Sequence, residues 1–245
     1  MVKQKTVYNF FKFLEDKRGE KMPFRVKLIG NYHKFTEGEL HIEGSLHLDT
    51  ISQGSNTTKL PDNLKIEGNL NISNSKIKRL PDGLKVGGSI VGIESELEYI
   101  PDNFTVFGVL FLTGSKKLKM LPKNLEVHKS LYISDTGIKR LPDDIKIGGS
   151  ILAANSKLEY IPDNFSVITI NAISSELKFI PDNLTLLNDL VLNRTNVKSI
   201  PNNLKIGGNF HCGETPLQQK YTREQIKKMI EDKGGYVKGD IFFYT

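Results

Sequence analysis

The 245-residue chain has no tryptophan and one cysteine, Cys212. A lone cysteine excludes an internal disulfide framework and suits a reducing compartment. No run of about eighteen apolar residues is present to span a bilayer. The opening stretch MVKQKTVYNFFKFLEDKRGE is interrupted by Asn9 and Lys12 and lacks a small-residue cleavage site, so it fits a secretory signal poorly. A cytoplasmic location is therefore expected. Dense Lys/Arg runs are missing too. The 34 basic and 28 acidic residues leave a net charge of +6. That mild, dispersed excess permits an RNA, DNA or acidic protein partner without identifying one. With 38% hydrophobic and 25% charged residues, the composition is that of a soluble globular chain and not of a disordered one.

Proline carries the main signal. Eight of the ten prolines follow Leu or Ile, at Pro61, Pro81, Pro101, Pro122, Pro142, Pro162, Pro181 and Pro201. The steps are 20, 20, 21, 20, 20, 19 and 20 residues, and a fixed period of this kind means a solenoid. The first complete unit is LPDNLKIEGNLNISNSKIKR, Leu60 to Arg79, and ELHIEGSLHL at 39–48 aligns with its middle as a divergent leading coil.

Numbering each unit from its Leu or Ile, apolar residues fall at positions 1, 5, 7, 11, 13 and 18. Alternation at 5/7 (Leu64/Ile66, Leu125/Val127) and 11/13 (Leu70/Ile72, Leu131/Ile133) has the period of two of short strands with one face inward. Glycine pairs such as Gly87-Gly88 and Gly148-Gly149 lie between them, where the backbone turns. Pro-Asp-Asn after position 1 is a turn: proline presets φ, and Asn tolerates the left-handed region. The expected fold is mainly β: a parallel-stranded, leucine-rich-repeat-like solenoid of about nine coils stacked at about 4.8 Å per coil. Coils ending in Lys-Arg and in Glu-Tyr each recur three coils later, as do those opening IPDNF, which points to duplication of a three-coil block.

Open ends of such a stack need covers. Residues 1–38 are read as an N-terminal helical cap, with Val7, Phe10, Phe11 and Leu14 at helical spacing. The solenoid covers 39–219. Residues 220–245 are read as a C-terminal cap. In it Thr222 to Gln225 forms a capping box, a helix runs to about Lys233 with Ile226, Met229 and Ile230 on one face, and Gly234-Gly235 stops it before a closing strand.

The motif LPxxLxIxGxLxIxxxxIxxLP, seen in LPDGLKVGG, LPDDIKIGG and IPNNLKIGG, resembles the leucine-rich repeats of bacterial and bacteriophage proteins. More distantly it is similar to the LP-type repeats of secreted bacterial effectors. The resemblance covers about 39–219 and implies a non-enzymatic binding surface, since function is set by sites grafted on a fold. By analogy it implies an intracellular effector, inhibitor or anti-defence role, in the host cytoplasm if the chain is phage-encoded. Some LP-repeat effectors carry a separate ubiquitin-ligase domain with a catalytic cysteine. The 26 residues after the array are too few for that domain, so that activity is not expected here.

Direct chemistry is sparse. His41 and His47 lie six apart across a glycine turn, without the further ligands a tetrahedral site needs. Cys212 falls in the inward column at position 13, and its neighbour His211 points to the other face, which argues against a Cys-His pair. The Asp column at position 3 (Asp62, Asp82, Asp102, Asp143, Asp163, Asp182) reads as turn residues accepting backbone N–H groups. The Gly-Gly pairs lack the following Lys-Ser/Thr of a phosphate loop. No catalytic residue, metal site or cofactor is expected, and an enzyme site in the glycine-rich bends ranks last.

The anomaly lies on the outward positions, which elsewhere hold Asn, Ser, Lys or Gly. The coil at 100–120 reads VFGVLFL and turns Phe107, Val109 and Phe111 outward. The next two coils add His128 and Tyr132, then Leu152. Val91 occupies the same column on the other flank, its facing blurred by Gly92. Aromatic anchors within a polar rim are what interface centres use, so Phe107, Val109, Phe111, His128, Tyr132 and Leu152 are the candidate partner site for another protein. The alternative is that they pack under a loop or against the N-terminal cap, or that the two-face assignment slips. The runner-up partner is RNA or DNA, held by Lys65, Lys85, Lys146 and Lys205 at position 6, a column broken by Thr105 and Glu126.

Overall fold

A computed structural model of the chain describes residues 37–48 and 57–243, together with residues 12, 13, 16 and 18. The expected N-terminal cap and the closing residues 244–245 lie mostly or wholly outside these. The described chain is a parallel-stranded solenoid whose coils each contribute two two-residue strands. In the first full coil these are Lys65–Ile66 and Leu70–Asn71, positions 6–7 and 11–12. Of the spans expected from the alternation at 5/7 and 11/13, only positions 6–7 and 11–12 make ladder bridges.

The second strand of each coil joins one ten-stranded parallel sheet, from Leu46–His47 to Ile241–Phe242. Its register is strict: Leu70, Ile90, Leu110, Leu131 and Ile151 stand in one column, and Asn71, Val91, Phe111, Tyr132 and Leu152 in the next. Because side chains alternate, the first column is fully buried and the second faces out. The core is one continuous cluster, mostly of the Leu, Ile and Val side chains at positions 1, 5, 7, 11, 13 and 18, with a few Phe and Ala and Cys212 among them. No coil could bury that edge alone; stacking does it.

The first strands behave differently. They form three separate sheets, with the ladder interrupted after Lys85–Val86 and after Lys146–Ile147. Both interruptions come immediately before the two coils with Phe at position 5, Phe104 and Phe165, which are buried. Elsewhere in the described coils that position holds Leu or Ile. An inward ring there needs more depth than a Leu, which accounts for the lost ladder bonds, while the coils stay joined further along the bend by Gly108 N–H to Gly88 O and Ile168 N–H to Gly149 O, both 3.0 Å. The corner is otherwise tight: a Cβ on Gly87 would strike the Glu67 carbonyl of the preceding coil, and one on Gly148 the His128 carbonyl.

The turns are joined by polar ladders. Asn at position 4 takes positive φ, as in Asn103, Asn164 and Asn183. These side chains hand a hydrogen bond from coil to coil, Asn124 Nδ2 to Asn103 Oδ1 at 2.9 Å and Asn203 Nδ2 to Asn183 Oδ1 at 2.8 Å. The neighbouring Asp column accepts backbone N–H groups from the next coil, Lys123 N–H to Asp102 at 2.9 Å and Asn202 N–H to Asp182 at 2.7 Å. Position 16 is a column of buried hydroxyls: Thr136, Ser156, Thr195 and Thr215 donate back to the carbonyl three residues earlier, as in Thr136 to Ile133 and Thr195 to Leu192, both 2.7 Å, whereas Ser95 and Ser115 bond each other and Ser115 reaches the Gly92 carbonyl. Ser175 alone in this column has no partner. It sits in the 19-residue coil, and its Oγ is the one buried side-chain polar atom among the described residues without a partner.

The C-terminal end matches expectation and adds to it. A short helix α1, Pro216–Lys220, precedes α2, Arg223–Asp232. Thr222 and Gln225 form the capping box at the start of α2, with Ile226 and Ile230 fully buried. Gly234, at φ +79°, ends the helix in a conformation a side chain rarely adopts. Tyr236–Val237 and Ile241–Phe242 then lay down two closing strands where one was expected.

Candidate functional site

The outward side of the ten-stranded sheet is built by positions 10, 12 and 14. From Asn69 to Gly213 these positions hold Ser, Thr, Asn, aliphatic and aromatic residues, one glycine, one histidine and one charged residue, Asp189. The Asp189 carboxylate is committed, accepting the Asn209 N–H at 2.7 Å. The polar groups of this face serve the stack: Ser89 Oγ accepts the Val109 N–H at 3.0 Å, and Ser130 Oγ the Ser150 N–H at 3.0 Å. What remains for a partner is a neutral, ordered surface.

Along its midline, Val91, Phe111, Tyr132 and Leu152 stand in direct register. Each is half-buried by its column neighbours. The Phe111 and Tyr132 rings lie 4.5 Å apart, tilted by 31°. Val91, uncertain from sequence because of Gly92, belongs to this column; Gly92 itself is buried at position 13, in the column of Ile72 and Leu112. Phe107 and His128 form a second pair at the glycine bend, edge to face at 4.9 Å. Phe107 is 52% exposed. Val109, half-buried, lies between the two pairs along the chain. His128 Nε2 also lies 3.4 Å from the Glu126 carboxylate. Around Glu126, His128, Lys146 and Gly148 the surface is dished into a shallow concavity beside the second ladder interruption.

The same midline column continues past Asn171 to Val191, His211 and Phe242. His211 stacks on Phe242 at 4.9 Å. Sequence reading did not single these three out, although they share position 12 with Phe111. A further feature escaped it at position 20. Arg79 lies over the Tyr99 ring at 5.2 Å and Arg140 over Tyr160 at 4.8 Å, each pair also bridging backbones. Met120 and Phe179 follow them in the two three-coil blocks, 76% and 66% exposed. The signal was the three-coil recurrence, which reads as ancestry until the stack puts the residues side by side.

The charged ladder beside them neutralises itself. The Lys117 ammonium, 2.9 Å away, holds the Glu96 carboxyl below its usual range, and Glu96 in turn raises Lys117. Glu159 is likewise lowered, by Lys178 at 2.7 Å and then by Lys139. The position-6 lysines are exposed but divided among the three small sheets. Lys65 and Lys85 are neighbours, whereas Lys146 stands beside Glu126 and Lys205 beside Thr185.

Cys212 is fully buried, and burial pushes its thiol up to about 12 from an ordinary 9.0. His211 points to the other face, as alternation requires, so the two do not form a nucleophile–base pair. His41 Nε2 donates to the Glu67 carboxylate at 2.9 Å. Among the described residues no group of three or more His, Cys, Asp or Glu is arranged to hold a metal ion, and no helix is long and apolar enough to cross a membrane.

No family model and no curated protein matches the chain. A solved structure described as "Structure of Shigella effector LRR domain" is similar to it at 17% identity and a TM-score of 0.40, over 96% of each chain.

Proposed function

We propose that this solenoid is a non-enzymatic protein-binding scaffold whose contact surface is the aromatic part of the broad sheet. Phe111 and Tyr132 are its anchors, Leu152 and Val109 lie beside them, and Phe107 and His128 extend the surface around the bend. One observation carries this reading: a side-chain column apolar over four successive coils, on a face with almost no charge, in a chain that is one-quarter charged. Exposed apolar patches of a few hundred Å² are where soluble proteins bind others. Aromatic rings supply large contact area at modest entropy cost. The resemblance of the repeats suggests the setting, a cytoplasmic effector, inhibitor or phage anti-defence protein that acts on a host protein.

The test is affinity capture from the native host with wild-type protein and with Phe111→Ser. A protein held by the first and lost by the second, at unchanged fold, supports the reading. Equal capture by both moves the site elsewhere. Retention on nucleic acid that falls steeply with salt would favour the position-6 lysines instead.

A further inference from the structure

The order of residues along the midline column of the broad sheet reads the same in chemistry from either end. From Asn71 it runs Asn71, Val91, Phe111, Tyr132, Leu152, Asn171: amide, aliphatic, aromatic, aromatic, aliphatic, amide. The two asparagines are held alike. Asn71 Oδ1 accepts the Ser73 N–H at 3.0 Å, and Asn171 Oδ1 accepts the Ile173 N–H at 3.2 Å. Position 14 keeps this symmetry in its four central coils, with Thr113 matched by Ser134 and Ile93 by Ala154, and loses it at the next pair, Ser73 and Ile173.

We infer that the partner of this face is a second copy of the chain, packed sheet against sheet with the column reversed. This rests on the reading of the face as a protein-binding surface and names its occupant. A two-fold axis lying between the sheets, along the strands and between Phe111 and Tyr132, sets Phe111 of each copy against Tyr132 of the other. The same operation sets Val91 against Leu152 and Asn71 against Asn171. A two-fold interface must be self-complementary in this way, each patch meeting its own reverse. Opposed carboxamides can both donate and accept, so the amide ends close the apolar centre with polar pairs.

Charge and area agree with this occupant. Two copies of a +6 chain repel wherever their lysine-bearing faces meet, and the broad face has no lysine or arginine at positions 10, 12 or 14 from Asn69 to Gly213. With the axis so placed, about eight strands of each sheet overlap. At about 4.8 Å per strand and about 3.3 Å per residue, the overlap covers about 600 Å² per copy. The total of about 1,200 Å² is the lower limit of a specific stable interface, so the dimer should dissociate on dilution.

Sedimentation equilibrium of the full chain from about 1 to 200 μM tests it. The wild type should pass from 27.6 kDa toward twice that mass as concentration rises. Phe111→Ser, which removes two rings per dimer, should weaken association by about thirtyfold or more while the circular dichroism is retained. A bis-maleimide spanning about 10 Å, the spacing of face-packed sheets, reports the register. Asn71→Cys combined with Asn171→Cys should cross-link residue 71 to residue 171 between copies, whereas Asn71→Cys alone should not cross-link. Buried Cys212 does not compete. A wild type that remains at 27.6 kDa throughout overturns the inference. In that case, loss of a captured host protein in Phe111→Ser would still sustain the face as a site for another partner. A dimer unaffected by Phe111→Ser, or Asn71→Cys cross-linking to itself, overturns this face or this register.

Discussion

The rings of Phe111 and Tyr132 lie 4.5 Å apart on adjacent strands, in strict register, on the outer side of the broad sheet. Each shields part of the other, and neither reaches the core. Phe111→Ser should therefore lower stability by only about 1 kcal/mol, the scale of an aromatic pair outside a packed interior. Its binding penalty should be larger, about 2 kcal/mol. Urea unfolding of the variant checks the first figure, and a midpoint as low as that of a core truncation would make the ring structural.

Leu131 and Lys205 mark the two sides of the same alternation. Leu131 is fully buried, and Leu131→Ala should cost about 2–5 kcal/mol through lost contacts and a residual cavity. Lys205, exposed beside Thr185, should change stability by no more than about 0.5 kcal/mol as Lys205→Ala. Coincident urea midpoints for the two variants would contradict the assignment of faces.

The buried hydroxyls separate a made hydrogen bond from a missing one. Ser156 donates to the Ala153 carbonyl at 2.6 Å, so Ser156→Ala should cost about 1 kcal/mol. Ser175 Oγ has no partner, so Ser175→Ala relieves a desolvated hydroxyl and should be neutral or stabilising by up to about 1 kcal/mol. Thermal denaturation of both variants should move the midpoint in opposite directions or leave the second unchanged.

Cys212 should resist thiol reagents in the native protein and react stoichiometrically once unfolded, because the thiolate is both buried and disfavoured. The raised value also has a sign in stability. The folded state keeps the proton that the unfolded state releases, so the contribution is complete below about 9 and is lost as pH rises toward about 12. Rapid labelling of native protein at neutral pH would place the thiol at the surface.

Hydrogen exchange should map the interrupted ladder. Lys85 and Lys146 donate their amides to Leu64 and Leu125, both at 2.9 Å, and should be protected. Thr105 and Ser166, the first strand residues beyond each interruption, should exchange faster. Replacing Phe104 by Leu should slow Thr105 by letting the coils close. Equal protection of all four amides in the wild type would remove the role assigned to the two rings.

What could be read directly from the chain was whatever repeats within one coil. Leu70 and Ile72 announce an inward face because size and alternation are local, and Thr222 with Gln225 announces α2 for the same reason. Relations between coils were harder to read. The facing of Val91 became clear only when its register with Phe111 was known. The Arg79–Tyr99 stack joins residues twenty apart that no window of alternation compares. The ladder interruptions need the depth of a phenylalanine set against the coil beneath it. The candidate surface was half legible: Phe107, Val109, Phe111, His128, Tyr132 and Leu152 stood out by composition. Val191, His211 and Phe242 did not, because single apolar residues in polar surroundings are ordinary on any surface.

The two phenylalanine wedges also govern how such a chain can lengthen or shorten. Each three-coil cassette carries one wedge, one Arg–Tyr stack and one exposed Met120 or Phe179, always in the same order. Gaining or losing a whole cassette adds or removes about 14 Å of length and leaves every remaining neighbour relation intact, at about 4.8 Å per coil. Gaining or losing one coil would strand an arginine from its tyrosine and shift the wedge out of phase. Natural variants of this molecule should accordingly differ in size by whole cassettes, and single-coil changes should be confined to the ends.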